Sequence, residues 1–207
     1  MRKSTINSFM EHITVENALP KAYQDEVESL MYSTEFPWFA NHEHYNNTNT
    51  YSLGFTHLAL NDGPDLPKGS TASNHLQLLL PIWYMMGDVL GKDLGKLLRL
   101  RCGLLVPSNA SDSMVDNAEP VDGGDEPHLD FFCPHWTGLY YVNDSDGDTS
   151  VYNETQPSDN YTVLTTSTPK KGKMFIFNGK HYHSSKKPTS GYSRCVLTFN
   201  FTTEQYD

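Results

Sequence analysis

Apolar and polar positions along the 207 residues change their period near residue 97. Before that point apolar residues recur at helical spacing. In LPKAYQDEVESLMYS, Tyr23, Val27, Leu30 and Met31 form one stripe, and Pro20 stands just inside the predicted start. Pro37 and a polar run break helicity in FPWFANHEHYNNTNT. A longer helix follows in SNHLQLLLPIWYMMGDVLGK, with Leu76, Leu79, Leu80, Trp83 and Met86 on one side, Ser73 as N-cap and a kink at Pro81. That stripe predicts a helix backing a sheet. After residue 97 the period becomes two. Leu98, Leu100, Cys102, Leu104 and Val106 alternate with Arg99, Arg101 and Gly103, which predicts a strand with one buried face. TGLYYVN, YTVLTTS, KMFIFNG and SRCVLTFNFT read as four more strands separated by turn-rich segments, a pattern that suggests a sandwich or jelly roll. The expected organisation is a helical support region, 1–97, and a β core, 98–207, in one compact domain.

Composition narrows this picture. Hydrophobic residues at 37% describe a folded chain. The formal net charge of −10 argues against a basic face for duplex nucleic acid. Cys102, Cys133 and Cys195 are odd in number and widely spaced, which argues against a disulfide framework or a thiolate zinc site. Cys102 and Cys195 are expected in the core. The first residues lack the apolar segment of a signal peptide, and no apolar run approaches the ~20 residues of a membrane span. A soluble, cytoplasmic protein is the expectation. DSDGDTSVYNE resembles a calcium loop in its acids, Asp144, Asp146, Asp148 and Glu154. Its glycine falls at the fourth position and its last acid at the eleventh, against the sixth and twelfth of that motif.

Candidate chemistry centres on EPHLDFF. His128 and Asp130 are two apart, so an extended chain aims both at one spot. A surface salt bridge and two ligands of a metal site both fit. If the second holds, MFIFNGKHYH offers His181 and His183 as a third donor. A two-histidine, one-carboxylate face suits ferrous iron with open positions, although zinc hydrolases use similar ligands. Arg194 opens the last strand, sharing a face with Val196, Thr198 and Asn200, while Cys195, Leu197, Phe199 and Phe201 share the other. A guanidinium on an inward face calls for an anion, and a carboxylate-bearing cosubstrate is the natural partner.

The order H-x-D, then His, then Arg, running from His128 through TGLYYVN and GDT to FNGKHYH and GYSRCVLTFNF, resembles the iron(II)- and 2-oxoglutarate-dependent dioxygenases of the prolyl-hydroxylase-like branch. FPWFANHEH and LRLRCGLLVPSN are similar to segments of phage-encoded members. The resemblance implies a double-stranded β-helix, a cupin-like jelly-roll barrel open at one end. It implies that His128, Asp130 and His183, rather than His181, hold Fe(II). It implies that Arg194 pairs with the distal carboxylate of 2-oxoglutarate, that Tyr141 hydrogen-bonds it, and that Thr198 lines the same pocket. Val106 stands where some relatives carry another cosubstrate-binding tyrosine, and DGDT, 146–149, replaces the family's GGET. The implied activity uses molecular oxygen, with ascorbate as an accessory reductant. It releases succinate and carbon dioxide and hydroxylates a peptidyl proline or a small molecule, in the host cytoplasm if the chain is phage-encoded. A metal-binding barrel without turnover and a zinc-dependent hydrolase are the rival readings. His181 is expected outside the ligand set, His135 within reach of the pocket but without a family role, the His42/His44 pair at the surface, Tyr140 facing away from the pocket, and Lys170, Lys171 and Lys173 in a solvated turn. Lys186 and Lys187 are placed near the mouth, where they could steer an anionic substrate.

Overall fold

The computed structural model describes residues 11–41, 54–64, 71–107 and 126–204. Its centre is β11, Arg194–Thr203, an antiparallel strand between β5, Leu94–Leu105, and β6, Trp136–Tyr141. The main sheet runs β1 (His12–Val15), β9 (Met174–Asn178), β6, β11, β5, β3 (Gly54–Asn61), β2 (Phe39–Asn41), with β4 (Thr71–Ala72) paired to β3. A second sheet orders β10 (His183–Ser185), β7 (Thr149–Tyr152) and β8 (Val163–Ser167). Val151 of this sheet packs with Leu139, Tyr141, Phe175, Phe177 and Val196, so it closes over one face of the main sheet. This is the expected jelly roll.

Alternation along β11 builds both faces. Cys195, Leu197, Phe199 and Phe201 point outward and are fully buried beneath the helices α1, Lys21–Met31, and α2, Leu76–Leu90. Arg194, Val196, Thr198 and Asn200 point into the barrel and are also buried. α2 comes so close that Met86 packs on Gly138, where any Cβ would overlap its sulfur. Burying both thiols among apolar side chains pushes Cys102 up to about 12 and Cys195 well above its ordinary value. Tyr140 lies on this outer side and is fully buried in the same cluster.

Several local expectations are corrected. Pro20 caps α1 from outside, and its carbonyl accepts from the Tyr23 and Gln24 amides. Gln24 joins Val27 and Met31 on the buried stripe because its Nε2 donates to the Leu19 carbonyl. α2 is capped at His75, not Ser73, whose hydroxyl accepts the His75 amide. α2 continues through Pro81 to Leu90 and stops at Gly91, whose φ of 62° is left-handed. Among the described residues before 94, α1 and α2 are accompanied by β1 to β4, which extend the main sheet at both edges. The lysine turn is not simply solvated. Lys171 bridges Asp25 and Glu28 of α1, and the buried Lys173 pairs with Glu16. Among the described residues no helix is long and apolar enough to cross a membrane.

Candidate metal centre and its surroundings

His128 is held by the second sheet. It forms a two-way backbone bridge to His183, each amide donating to the other's carbonyl at 3.0 Å. That bridge brings the two rings together, tilted at 51° with centroids 4.6 Å apart. Nδ1 of His128 lies 3.0 Å from the Glu126 carbonyl, and Nδ1 of His183 lies 3.4 Å from the His181 carbonyl. A carbonyl only accepts, so each Nδ1 carries the proton and each Nε2 keeps its lone pair for the site. Asp130 Oδ2 is 3.6 Å from His183 Nε2, and donor atoms of all three side chains lie within 4.8 Å of one another. Two imidazole nitrogens and one carboxylate oxygen thus surround a space of the size an ion fills. Among the described residues no other cluster of this kind occurs.

Asp130 is oriented by residues from the main sheet. Arg99 of β5 and Asn200 of β11 face each other in register. Arg99 Nε donates to Asn200 Oδ1 at 3.0 Å, and its Nη2 hydrogen-bonds Asp130 Oδ1. Asn200 Nδ2 donates to Asp130 Oδ2 at 2.8 Å and to Thr137 Oγ1 at 3.0 Å. The guanidinium also lies 5.1 Å over the Phe131 ring. Burial works to raise the Asp130 pKa, but the opposing charges around it, Arg99 foremost, outweigh it and hold the carboxyl well below its usual range. His128 is pushed down, first by burial and then by the neighbouring His183, which keeps it a neutral donor.

Further along β11, the buried Arg194 donates from Nε to the Gly147 carbonyl and from Nη2 to Thr149 Oγ1, both at 2.8 Å. A Cβ at position 147 would meet the Arg194 side chain at 2.8 Å, so the glycine of DGDT is what lets the guanidinium lie there. Tyr141 lies beside it, 5.8 Å from guanidinium carbon to ring centroid, and its hydroxyl donates to the same Thr149 oxygen at 3.0 Å. Burial raises the Tyr141 pKa and keeps it a neutral donor. Thr198 lies between Arg194 and Asn200 on the same face and is 9% exposed. β5 ends at Leu105, which pairs with Arg194, so Leu105 rather than Val106 shares that face.

The remaining candidates separate from the site. His181 bonds the Tyr152 carbonyl and Glu11, which ties it to the β1 edge and away from the donors. His135 is buried against Gly179 and edge-on to Phe131. The acids of the calcium-like loop serve different neighbours: Asp146 accepts from Thr189 and Ser190, Asp144 from the Lys171 amide, and Glu154 from Thr162. His42 and His44 lie outside the described residues. Arg99 and Asn200 were not foreseen. Alternation along β5 predicts one buried face, whereas closure of the barrel makes its arginine face an interior.

No family model matches the sequence, and no curated protein matches it either. Solved structures do. A 2OG-Fe(II) oxygenase family oxidoreductase from Burkholderia pseudomallei aligns over 93% of this chain and 85% of its own, at 12% identity and a TM-score of 0.65. A prolyl hydroxylase from Trichoplax adhaerens, solved with a hypoxia inducible factor peptide fragment, aligns over 95% and 85%, at 12% identity and 0.59. HygX from Streptomyces hygroscopicus, solved with nickel and 2-oxoglutarate, aligns over 94% and 83%, at 10% identity and 0.53. The chain therefore has the jelly-roll fold seen in 2-oxoglutarate oxygenases.

Proposed function

We propose that the protein is an iron(II)- and 2-oxoglutarate-dependent oxygenase that hydroxylates a peptidyl or small-molecule substrate. The observation that carries this reading is the joint placement of His128, Asp130 and His183 around one point and of buried Arg194 with Tyr141 inside the same barrel. The donor set fits a ferrous ion: both Nε2 atoms are left as lone-pair donors, and Asp130 is anchored as an anion by Arg99. Three protein donors leave positions for small ligands. When bound, iron with 2-oxoglutarate and oxygen supplies the oxidative decarboxylation to succinate and carbon dioxide that drives hydroxylation.

The chain's own residues then have separable tasks. Arg194 and Tyr141 receive and orient the distal carboxylate, and Thr198 lines the same cavity. Asn200 and Arg99 keep Asp130 from rotating. Leu139, Phe175, Phe177 and Val196 exclude water from the barrel floor, which strengthens every polar contact above it. The solved relatives support the reading through what they bind: nickel with 2-oxoglutarate in HygX, and a peptide fragment in the Trichoplax hydroxylase. A zinc hydrolase has no use for the Arg194 and Tyr141 pair.

The test is direct. Protein held without oxygen and given iron(II) and 2-oxoglutarate develops a weak visible metal-to-ligand band, and admitting oxygen releases succinate. A band without succinate, even across a screen of peptide and small-molecule substrates, would leave a metal-binding barrel without turnover.

A further inference from the structure

Three arginines lie on the interior face of the main sheet: Arg194 on β11, and Arg99 and Arg101 on β5. Two are engaged. Arg194 is held by Gly147 and Thr149, and Arg99 by Asp130 and Asn200. Arg101 differs. It stands between Thr198 on one side and Leu58 on the other, both paired with it in register. It is half-buried, and among the described residues it makes no hydrogen bond and no ion pair. Its row across the sheet is Leu58, Arg101, Thr198, Leu139, with no acid in it. It lies one pleat, about 7 Å, along the strand from Arg99, which reaches the Asp130 ligand. Its charge is close enough to His128 to act on that ring.

A guanidinium kept partly out of water without a partner is costly unless something supplies an anion. It also sits in a molecule of net charge −10, where acids were plentiful as partners. Leu58, 41% exposed, marks this part of the face as open to solvent. From this we infer that Arg101 is a recognition point for an anionic oxygen group, a carboxylate or a phosphate, on the substrate that is oxidised. Its fork would bind such a group in bidentate fashion beside the metal centre. The inference rests on the oxygenase reading for the meaning of substrate. It narrows that reading to molecules that carry a negative group within reach of the carbon to be attacked.

The experiment uses the full chain with ¹⁵N-labelled arginine, loaded with zinc as a redox-silent stand-in and with 2-oxoglutarate. Arginine Nε–Hε signals are followed by NMR, Arg101 being assigned by its absence in Arg101→Gln. Acetate and inorganic phosphate are the anionic probes, and acetamide is the neutral control. The expected result is a saturable shift of the Arg101 signal with acetate or phosphate, none with acetamide, and little movement of Arg99. Preference for phosphate over acetate would point to a phosphorylated substrate, and the reverse to a carboxylate. Titration calorimetry of the same probes should show affinity about tenfold or more weaker in Arg101→Gln, as loss of a charge-assisted contact does. No saturable shift overturns the inference. So does acetate that displaces 2-oxoglutarate, because Arg101 would then belong to the cosubstrate seat. Failure of the oxygenase reading shows separately, as an Arg194 signal that 2-oxoglutarate does not move, while the Arg101 response to acetate is still read in the chain without 2-oxoglutarate.

Discussion

The two faces of β11 carry the same density of buried side chains and opposite chemistry. Outward, Cys195, Leu197, Phe199 and Phe201 pack against the helices in a cluster held by dispersion and water exclusion alone. Inward, Arg194, Thr198 and Asn200 are buried with Val196 as the only apolar member, and each polar group must find a partner or pay desolvation. The outer face therefore sets whether the chain folds. The inner face sets what it can bind. Substitutions on the two faces should fail in different ways, and that is how the comparison can be broken.

The largest expected effect is on the inner face. His128→Ala or Asp130→Ala removes one of three donors, and the anaerobic iron and 2-oxoglutarate band should vanish while circular dichroism shows a folded barrel. Next is Phe199→Ala on the outer face, which leaves a cavity under α2 and should cost about 3–5 kcal/mol in urea unfolding. If Phe199→Ala abolished the band in protein that remained folded, the separation of faces would be wrong. Arg99→Ala should cost about 3 kcal/mol, because it leaves the Asp130 carboxylate buried without its cation. Arg194→Gln should weaken 2-oxoglutarate binding by about 10- to 100-fold, the worth of a charge-assisted pair, with metal affinity kept.

A smaller effect is set by pH. The folded Asp130 pKa lies well below the ordinary aspartate value of 3.8, so its stabilising contribution is complete above that value and is lost as pH falls beneath it. The stability gap between the native chain and Arg99→Ala, measured by denaturation at neutral pH and near pH 3, should therefore narrow in acid. His181→Ala should have the least effect on the centre, since that ring bonds Tyr152 and Glu11 instead.

The strands carrying these faces were legible wherever alternation was clean. β11 showed Arg194 and Cys195 on opposite faces from period two alone, and H-x-D in an extended segment put two donors on one side. Where a strand was too short to show a period, it went unread: HITV is four residues, and β10 is three. β3, GFTHLALN, was long enough but carries His57 and Ala59 where larger apolar residues would have announced its buried side. Arg99 was invisible for a different reason. An arginine alternating with leucines reads as the wet side of a strand, and only closure of the second sheet over it makes that side an interior. Likewise the lysine turn near 171 looked solvated because its partners, Asp25 and Glu28, lie far away in sequence on α1.

The central claim is that three side chains share one ion while a separate pair seats the cosubstrate. Anaerobic titration of iron(II) and 2-oxoglutarate into the native chain, His128→Ala, His181→Ala and Arg194→Gln tests it in one visible spectrum. The band should appear in the native chain and in His181→Ala, be absent in His128→Ala, and require more 2-oxoglutarate in Arg194→Gln. A band that survives His128→Ala, or that disappears in His181→Ala, would contradict the ligand set.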